Sequence, residues 1–183
     1  MKGDADFGIN ISSGFEKVLE RLPKLHDPDV GTILSATGEV FVYEIGATIG
    51  GLLGRSLQRA GKQTQGRRTL TSQDLSAIFR TMLTTIKEVG GAKLGDKTLI
   101  DALEPAVTAA DQVTGDMSAM LDKMQVAAAE GAKATETMVS RVGRGSYLGE
   151  RSRGLVDPGA MFIYLFLKSM AESLAQLGRT AGL

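Results

Sequence analysis

The chain has 183 residues, of which 43% are hydrophobic and 23% charged, and it contains neither cysteine nor tryptophan. Lysine plus arginine and aspartate plus glutamate both number 21, so the net charge is zero. This balance disfavours non-specific binding to nucleic acid or to an anionic membrane. The lack of cysteine excludes a disulfide scaffold and thiolate metal or redox sites. Glycine is unusually frequent, with 23 of 183 residues, about 13% against a usual ~7%.

The apolar segments are too short to span a membrane. The longest strongly apolar run, residues 160–167, falls far short of the roughly 20 residues that a spanning helix needs. The N-terminus has no apolar region of the signal-peptide type. The length fits one domain of ordinary size. We therefore expect a single soluble domain over residues 1–183, located in the cytoplasm.

Helical periodicity dominates the first half of the chain. Apolar residues repeat along one helix face from Ile11 to Leu22, and Pro23 ends this first helix. A second helix is predicted to begin near residues 27–29 and to extend through Phe41.

The third predicted helix has the clearest boundaries. Thr71 followed by Asp74 resembles a capping box, with aspartate in place of the usual glutamate or glutamine. A helical repeat of apolar residues follows, and Gly90 and Gly91 end the helix.

Three more helices are predicted in the second half. One spans about residues 98–113 with a kink at Pro105, and one is capped by Asp116 and runs to Met138. The last begins near Pro158 and is apolar on every side through Leu167, which predicts that its first half is buried. The fold class is therefore all-α, with antiparallel neighbours joined by short connections.

Fourteen of the 23 glycines lie in four short stretches, residues 3–8, 46–54, 90–95 and 143–159. We expect these stretches to be loops, because glycine lets the backbone approach a ligand closely and turn its N–H groups toward a phosphate. Helix caps and helix crossings also use glycine, so this alternative stays open.

Two carboxylates, Asp4 and Asp6, flank Ala5 in the first glycine stretch. We place them on a loop just before a helix that starts near residues 8–10. Such a pair suits Mg²⁺, which takes a few carboxylates together with substrate phosphates, and the helix start offers N–H groups to an anion. The alternative is an ordinary acidic loop that caps a helix.

Residues 141–157 hold four arginines among glycines, which suits planar binding of phosphates. The alternative is a solvated loop paired with Glu150 and Asp157. His26, the only histidine, lies in a connection and is expected at the surface. The usual nucleophilic dyads are therefore unsupported, and we assign no catalytic residue.

These segments, in this order, resemble the nucleotide-binding subunit of dihydroxyacetone kinase, the DhaL or DAK2-domain family. The resemblance covers essentially the whole chain, and its most specific parts are residues 143–152 and 157–160. The other matching segments are residues 3–10, 37–38, 46–54 and 95–103.

The resemblance implies an antiparallel up-and-down barrel of about eight helices, with ADP or ATP and Mg²⁺ at one end. It implies a phosphotransferase subunit that is inactive alone. A DhaM-type donor protein of the sugar phosphotransferase system would supply the phosphoryl group. The acceptor would be dihydroxyacetone, or a related short sugar, held on a separate DhaK-type subunit. A homodimer stays open.

Carried over by motif, Asp4 and Asp6 would bind Mg²⁺. The phosphates would lie along the helix start and the second glycine stretch, at Phe7, Gly8, Ile9, Asn10, Thr48 and Ile49. Gly90 and Leu99 would border the adenine. Four residues would close over the nucleotide, namely Arg144, Asp157, Pro158 and Gly159.

The sequence also departs from the family pattern. A third metal-binding aspartate would precede Met1, so the first helix is expected to be missing or shortened. Phe7 replaces the usual histidine, residues 46–50 lack the usual serine, and Glu44 brings a negative charge near the phosphate loop. Each change could weaken nucleotide or metal binding. The alternative function is therefore a non-catalytic relative that binds a partner subunit, with nucleotide binding weak or lost.

Overall fold

The computed structural model describes residues 5–45 and 47–180, and within them every regular element is a helix. The all-α prediction is confirmed. The α-helices are α1 (Ala5–Arg21), α2 (Val30–Glu44), α3 (Ala47–Gln63), α4 (Ser72–Gly90), α5 (Ile100–Ala110), α6 (Met117–Ala134) and α7 (Pro158–Thr180). Shorter 3₁₀ helices span Leu22–Lys24, Thr135–Thr137 and Arg144–Ser152. The chain groups into two compact units, Met1–Gly91 and Ala92–Leu183.

In the first unit, α1 and α2 pack side by side in opposite directions. An added Cβ at Gly14 would lie 2.8 Å from the Phe41 ring, and seven residues later Arg21 pairs with Glu39. Later residues of α1 therefore contact earlier residues of α2, as expected for antiparallel helices. Phe15 and Phe41 meet edge to face, with ring centroids 5.4 Å apart, and this contact buries the inner face of α1.

Helices α2 and α3 are in backbone contact along their length through paired glycines. A Cβ at Gly38 would lie 2.6 Å from the Gly54 carbonyl oxygen, and one at Gly54 would lie 2.6 Å from the Gly38 carbonyl oxygen. The same occurs near the other end of α2, where Gly31 and Gly61 face each other. Any side chain at these positions would force the two helix axes apart.

The prediction of a loop over residues 46–54 is wrong, because α3 begins at Ala47 and contains Gly50, Gly51 and Gly54. Gly50 and Gly54 are needed for helix packing: a Cβ at Gly50 would lie 2.3 Å from the Ile45 carbonyl oxygen. Helix crossing, the alternative use of glycine, explains Gly50 and Gly54.

Helix α4 begins and ends as the sequence predicts. Thr71 caps it through the full capping box with Asp74, and Gly91 follows its last residue with a left-handed φ of 67°. It packs antiparallel on α3, since the Leu52 side chain lies against Gly90 while Gln63, a helix length later, accepts a hydrogen bond from Thr81.

Replacing Thr71 with alanine is expected to lower the free energy of unfolding by about 1 kcal/mol at neutral pH, because the helix loses its cap. Hydrogen bonds from the Thr71 backbone and side chain hold the pKa of the Asp74 carboxyl below its usual value. A depressed folded pKa gives stability that is present above the unfolded pKa of about 3.9 and is lost as the pH falls through the folded value. The deficit of the variant should therefore shrink in acid, as measured by urea denaturation from about pH 7 to about pH 3.

Thr84→Ala is the matched control, since Thr84 is exposed within the same helix. It removes a hydroxyl but no cap, so it should leave stability unchanged or raise it by a few tenths of a kcal/mol. Equal losses in the two variants would contradict the capping assignment.

In the second unit, α6 packs on both α5 and α7, and α5 also contacts α7. Asp116 caps α6 as predicted, accepting a hydrogen bond of 2.9 Å from the Ala119 N–H. Gly131 in α6 packs on the first turn of α5, where an added Cβ would lie 2.1 Å from the Asp101 carbonyl oxygen. The core of this unit therefore lies between α5, α6 and α7.

The prediction that the first half of α7 is buried on every side is wrong. Ala160, Ile163 and Leu167 form its buried face, but Met161 is 36% exposed and Leu165 is 52% exposed. The helix is one-sided because α5 and α6 cover only one face of it in this unit. Within the described residues, no helix is both long enough and apolar enough to cross a bilayer.

Candidate functional site

Helices α2, α3 and α4 have ends near one another at one end of the first unit. Ile45, directly after α2, lies against Gly50 in the first turn of α3. It also lies against Gly14, in the middle of α1, and the antiparallel α1 begins toward this same end of the unit. The contact of Leu52 with Gly90 adds the end of α4. The predicted phosphate and adenine residues of this unit therefore come to the same end, although α3 was not predicted as a helix.

At the start of α1, the structure corrects the expected loop. Residues 5–8 are already helical, so Asp6 lies in the first turn and Phe7, Gly8, Ile9 and Asn10 follow in the same helix. Asp6 is exposed, as are Gly8 and Ile9, while Phe7 and Asn10 are half-buried. The first-turn N–H groups of a helix have no carbonyl partner within it, and this arrangement suits an anion. Asp4 lies outside the described residues.

The start of α3 presents the second set of first-turn N–H groups. Ala47 has a left-handed φ of 66°, an uncommon conformation for a residue with a side chain. It allows α3 to begin with only two residues between it and the end of α2. Thr48 is exposed and Ile49 is buried, so the predicted phosphate-loop positions lie in the first turn of α3.

Glu44, whose charge opposes a phosphate, is partly neutralised. Its carboxylate lies 3.3 Å from the Lys17 ammonium, and both side chains are about two-fifths exposed. At that exposure the pair contributes little stability. Its effect is electrostatic: a positive charge accompanies the negative one at the end of α2.

The described residues contain no cluster of three or more histidine, aspartate or glutamate side chains that would hold a metal by itself. Asp6 supplies one accessible carboxylate in a helix first turn. Mg²⁺ usually binds through one or two carboxylates together with phosphate oxygens and water, so this donor set fits a metal that arrives with a nucleotide.

In the second unit, a tight loop precedes α5. The Asp101 carboxylate, which is 1% exposed, accepts hydrogen bonds from the Gly95 N–H at 2.6 Å and the Thr98 N–H at 2.7 Å. Leu99 follows and is buried, and an added Cβ at Gly159 would lie 3.2 Å from the Leu99 Cβ. Leu99 and Gly159, two predicted site residues, are therefore in direct contact.

The Asp157 turn caps α7. The Asp157 carboxylate accepts a hydrogen bond of 2.8 Å from the Ala160 N–H, and Pro158 occupies the first helical position. The Asp157 N–H donates to the Thr135 hydroxyl at 2.8 Å, and Thr135 is fully buried. The turn is therefore fixed from both sides.

The arginine-rich segment, residues 141–157, contains a 3₁₀ helix in place of the loop that we expected. Arg144 is exposed at the start of a 3₁₀ helix that runs to Ser152, with a kink at Gly149, where φ is 53°. The buried Ser152 hydroxyl accepts a hydrogen bond of 2.9 Å from the Ser140 N–H. Arg153 forms an ion pair with Glu150 at 3.2 Å, as expected from the alternative in which the arginines pair with acidic residues of the same segment.

Sequence reasoning missed three residues that organise this region, Lys97, Asp101 and Thr135. Lys97 and Asp101 both belong to the matched segment 95–103, so the signal was the motif itself, in which we assigned only Leu99. The buried position of Lys97 could not be read from spacing, because its three hydrogen-bond acceptors lie 41, 55 and 58 residues later in the chain.

Residues 1–172 match the DAK2 domain family. The chain is 38% identical over 172 residues to the ADP-binding subunit DhaL of the PEP-dependent dihydroxyacetone kinase of Escherichia coli K12, covering 92% of this chain and 82% of that protein. It is 32% identical to the corresponding subunit of dihydroxyacetone kinase 2 of Listeria innocua, covering 94% and 82%.

The fold is similar to that of solved structures. The dihydroxyacetone kinase of C. freundii, in complex with AMP-PNP and Mg²⁺, superposes with a TM-score of 0.69 and 28% sequence identity. Its native form gives a TM-score of 0.71. In both comparisons 94% of this chain is covered, but only 29% of the larger kinase.

Proposed function

Because this chain belongs to the DAK2-domain family, we propose that it is the ADP-binding subunit of a dihydroxyacetone kinase and transfers a phosphoryl group to dihydroxyacetone or a related short sugar. The supporting observation is the end of the first unit, where the first turn of α3 contacts the end of α2 and the antiparallel α1 begins toward the same end. Two sets of first-turn N–H groups at one place suit a polyphosphate.

The nucleotide phosphates lie at the starts of α1 and α3, along Phe7–Asn10 and at Thr48 and Ile49. Asp6, together with Asp4, holds the Mg²⁺, which supplies neutralisation of phosphate charge when bound. Phosphoryl transfer needs alignment and electrostatic stabilisation more than covalent chemistry. A site without a nucleophilic dyad can therefore perform it.

Four further assignments rest on the family resemblance. Gly90 and Leu99 border the adenine, while Arg144 and the turn of Asp157, Pro158 and Gly159 contact the nucleotide. A DhaK-type subunit holds the sugar, and a DhaM-type protein donates the phosphoryl group. The names of the bacterial relatives, which describe subunits of PEP-dependent kinases, support this division of labour.

Native mass spectrometry of the purified protein tests nucleotide binding directly. We expect a population heavier than the polypeptide by one ADP and its associated Mg²⁺, which is lost on treatment with a chelator. A protein that carries no nucleotide and acquires none from millimolar Mg²⁺-ADP would favour the non-catalytic alternative.

Reconstitution tests the reaction itself. The chain is mixed with a DhaK-type subunit, dihydroxyacetone and either a phosphorylated DhaM-type donor or ATP, and triose phosphate is measured. Product above the level of mixtures that lack this chain is expected, and the donor that supports it identifies the phosphoryl source. If the chain binds nucleotide but triose phosphate stays at the background level with both donors, the result would favour the non-catalytic, partner-binding alternative.

A further inference from the structure

Lys97 is a buried lysine in a strained backbone position. Lys97 is 5% exposed, and its φ of 61° lies in the left-handed region. Charged side chains are rarely buried to this extent unless they are paired.

The Lys97 ammonium donates hydrogen bonds to three backbone carbonyls. The acceptors are Met138 at 3.1 Å, Ser152 at 2.5 Å and Leu155 at 2.6 Å. An ammonium has three donors, so each of them is satisfied. Met138 precedes the arginine-rich segment, whereas Ser152 and Leu155 lie at its end, so one side chain ties both ends of the segment together.

The position of Lys97 is itself fixed by its own loop. The Asp101 carboxylate holds the N–H groups on both sides of it, at Gly95 and Thr98. The neighbouring Asp96 carbonyl accepts a hydrogen bond of 3.1 Å from the Arg141 N–H. The ammonium therefore projects from a rigid base into the gap between the two ends of the segment.

The surrounding charges are mixed. Burial lowers the pKa of the Lys97 ammonium and the nearby Arg153 lowers it further, while Asp157 and Glu136 oppose this effect. Three carbonyl dipoles and the attraction of Asp157 replace the water that the ammonium loses. A side chain without an N–H donor would lose all three hydrogen bonds, including the buried one to Ser152.

We propose that Lys97 is the positioning residue that holds Arg144 and the Asp157 turn in their nucleotide-binding arrangement, by clamping the carbonyls of Met138, Ser152 and Leu155. Arg144 lies between the two clamped ends, and Asp157 follows Leu155 by two residues. This inference rests on the proposed function, since it assigns to Lys97 the geometry of residues proposed to contact the nucleotide.

Lys97→Met tests the clamp. Methionine has similar length and the same backbone cost at positive φ but no ammonium. We expect the affinity for Mg²⁺-ADP, measured by calorimetry, to fall at least about tenfold. Trypsin cleavage after Arg141, Arg144, Arg151 and Arg153, located by mass spectrometry, should rise by a similar factor while the helical circular dichroism is retained. Lys93→Met, at an exposed lysine in the same loop, is the control and should change neither quantity.

A rescue experiment separates the charge from simple packing. Lys97→Ala leaves space for propylammonium, which should restore both trypsin protection and Mg²⁺-ADP affinity, whereas 1-propanol should restore neither. If Lys97→Met does not fold, Lys97→Ala is purified in the presence of propylammonium. Its trypsin protection and Mg²⁺-ADP affinity are then compared before and after the propylammonium is removed by dialysis, and both should fall on removal.

Wild-type behaviour of Lys97→Met in both assays would overturn the proposal, as would equal rescue by propanol. Failure of the wild-type protein to bind Mg²⁺-ADP would instead count against the proposed function. The trypsin and rescue measurements would still decide whether Lys97 holds the segment.

Discussion

Replacing Gly54 with alanine is expected to lower the free energy of unfolding by about 3 kcal/mol or more, although only one methyl group is added. The new Cβ would lie 2.5 Å from a Val42 methyl carbon and 2.6 Å from the Gly38 carbonyl oxygen. The side chain can rotate away, but the carbonyl belongs to a helix backbone and cannot. Urea denaturation of the purified variant measures the loss.

Gly51→Ala is the matched control, three residues earlier in the same helix. A Cβ at Gly51 meets no described atom within 4 Å. Alanine there should stabilise the protein by up to about 1 kcal/mol through helix propensity. A loss at Gly51 comparable to that at Gly54 would contradict the backbone contact between α2 and α3.

Mg²⁺-ADP is expected to raise the Tm by about 5–10 °C when supplied at about 100 times its Kd, and Asp6→Asn should abolish most of this rise. The substitution preserves the size of the side chain but removes the charge that holds the metal. Since Asp6 is exposed in the first turn of α1, the Tm without ligand should change little.

Glu20→Gln removes an exposed carboxylate from the other half of α1 and should leave the ligand-induced rise intact. A full rise in Asp6→Asn would show that the metal is held elsewhere. A wild-type protein with no rise at millimolar Mg²⁺-ADP would contradict nucleotide binding by this chain.

The helices that the sequence predicted correctly are those defined by local signals. The capping box of Thr71 and Asp74, the glycine at position 91 and the cap at Asp116 act within a few residues, and the structure contains each of them. A repeat of apolar residues likewise depends only on the helix that carries it.

Helix α3 was missed because glycine is common both in phosphate-binding loops and where two helices cross closely. Glycine is a poor helix former by itself. Gly50 and Gly54 are required in this helix only because backbone atoms of the α2 segment lie too close for a side chain. Only the partner helix distinguishes a phosphate loop from a close helix crossing. The error on α7 has a similar cause, because exposure of Met161 and Leu165 depends on which faces α5 and α6 cover.

The site divides in the same way between local and non-local information. Motif resemblance assigned the residues at helix starts and turns, such as Asp6, Thr48 and Asp157. It did not assign Lys97, whose three acceptors lie 41, 55 and 58 residues away. Motifs identify residues that meet a ligand more readily than the residues that position them.

The two-residue connection between α2 and α3 also bears on how the chain folds. A short connection costs little entropy to close, and within the first unit each helix packs on its sequence neighbour. Chains rich in such local contacts fold fast. This unit is also the first to leave the ribosome, and domains generally fold from the N-terminus during synthesis. We therefore expect the paired helices α2 and α3 to form early in folding, before α7 has been made.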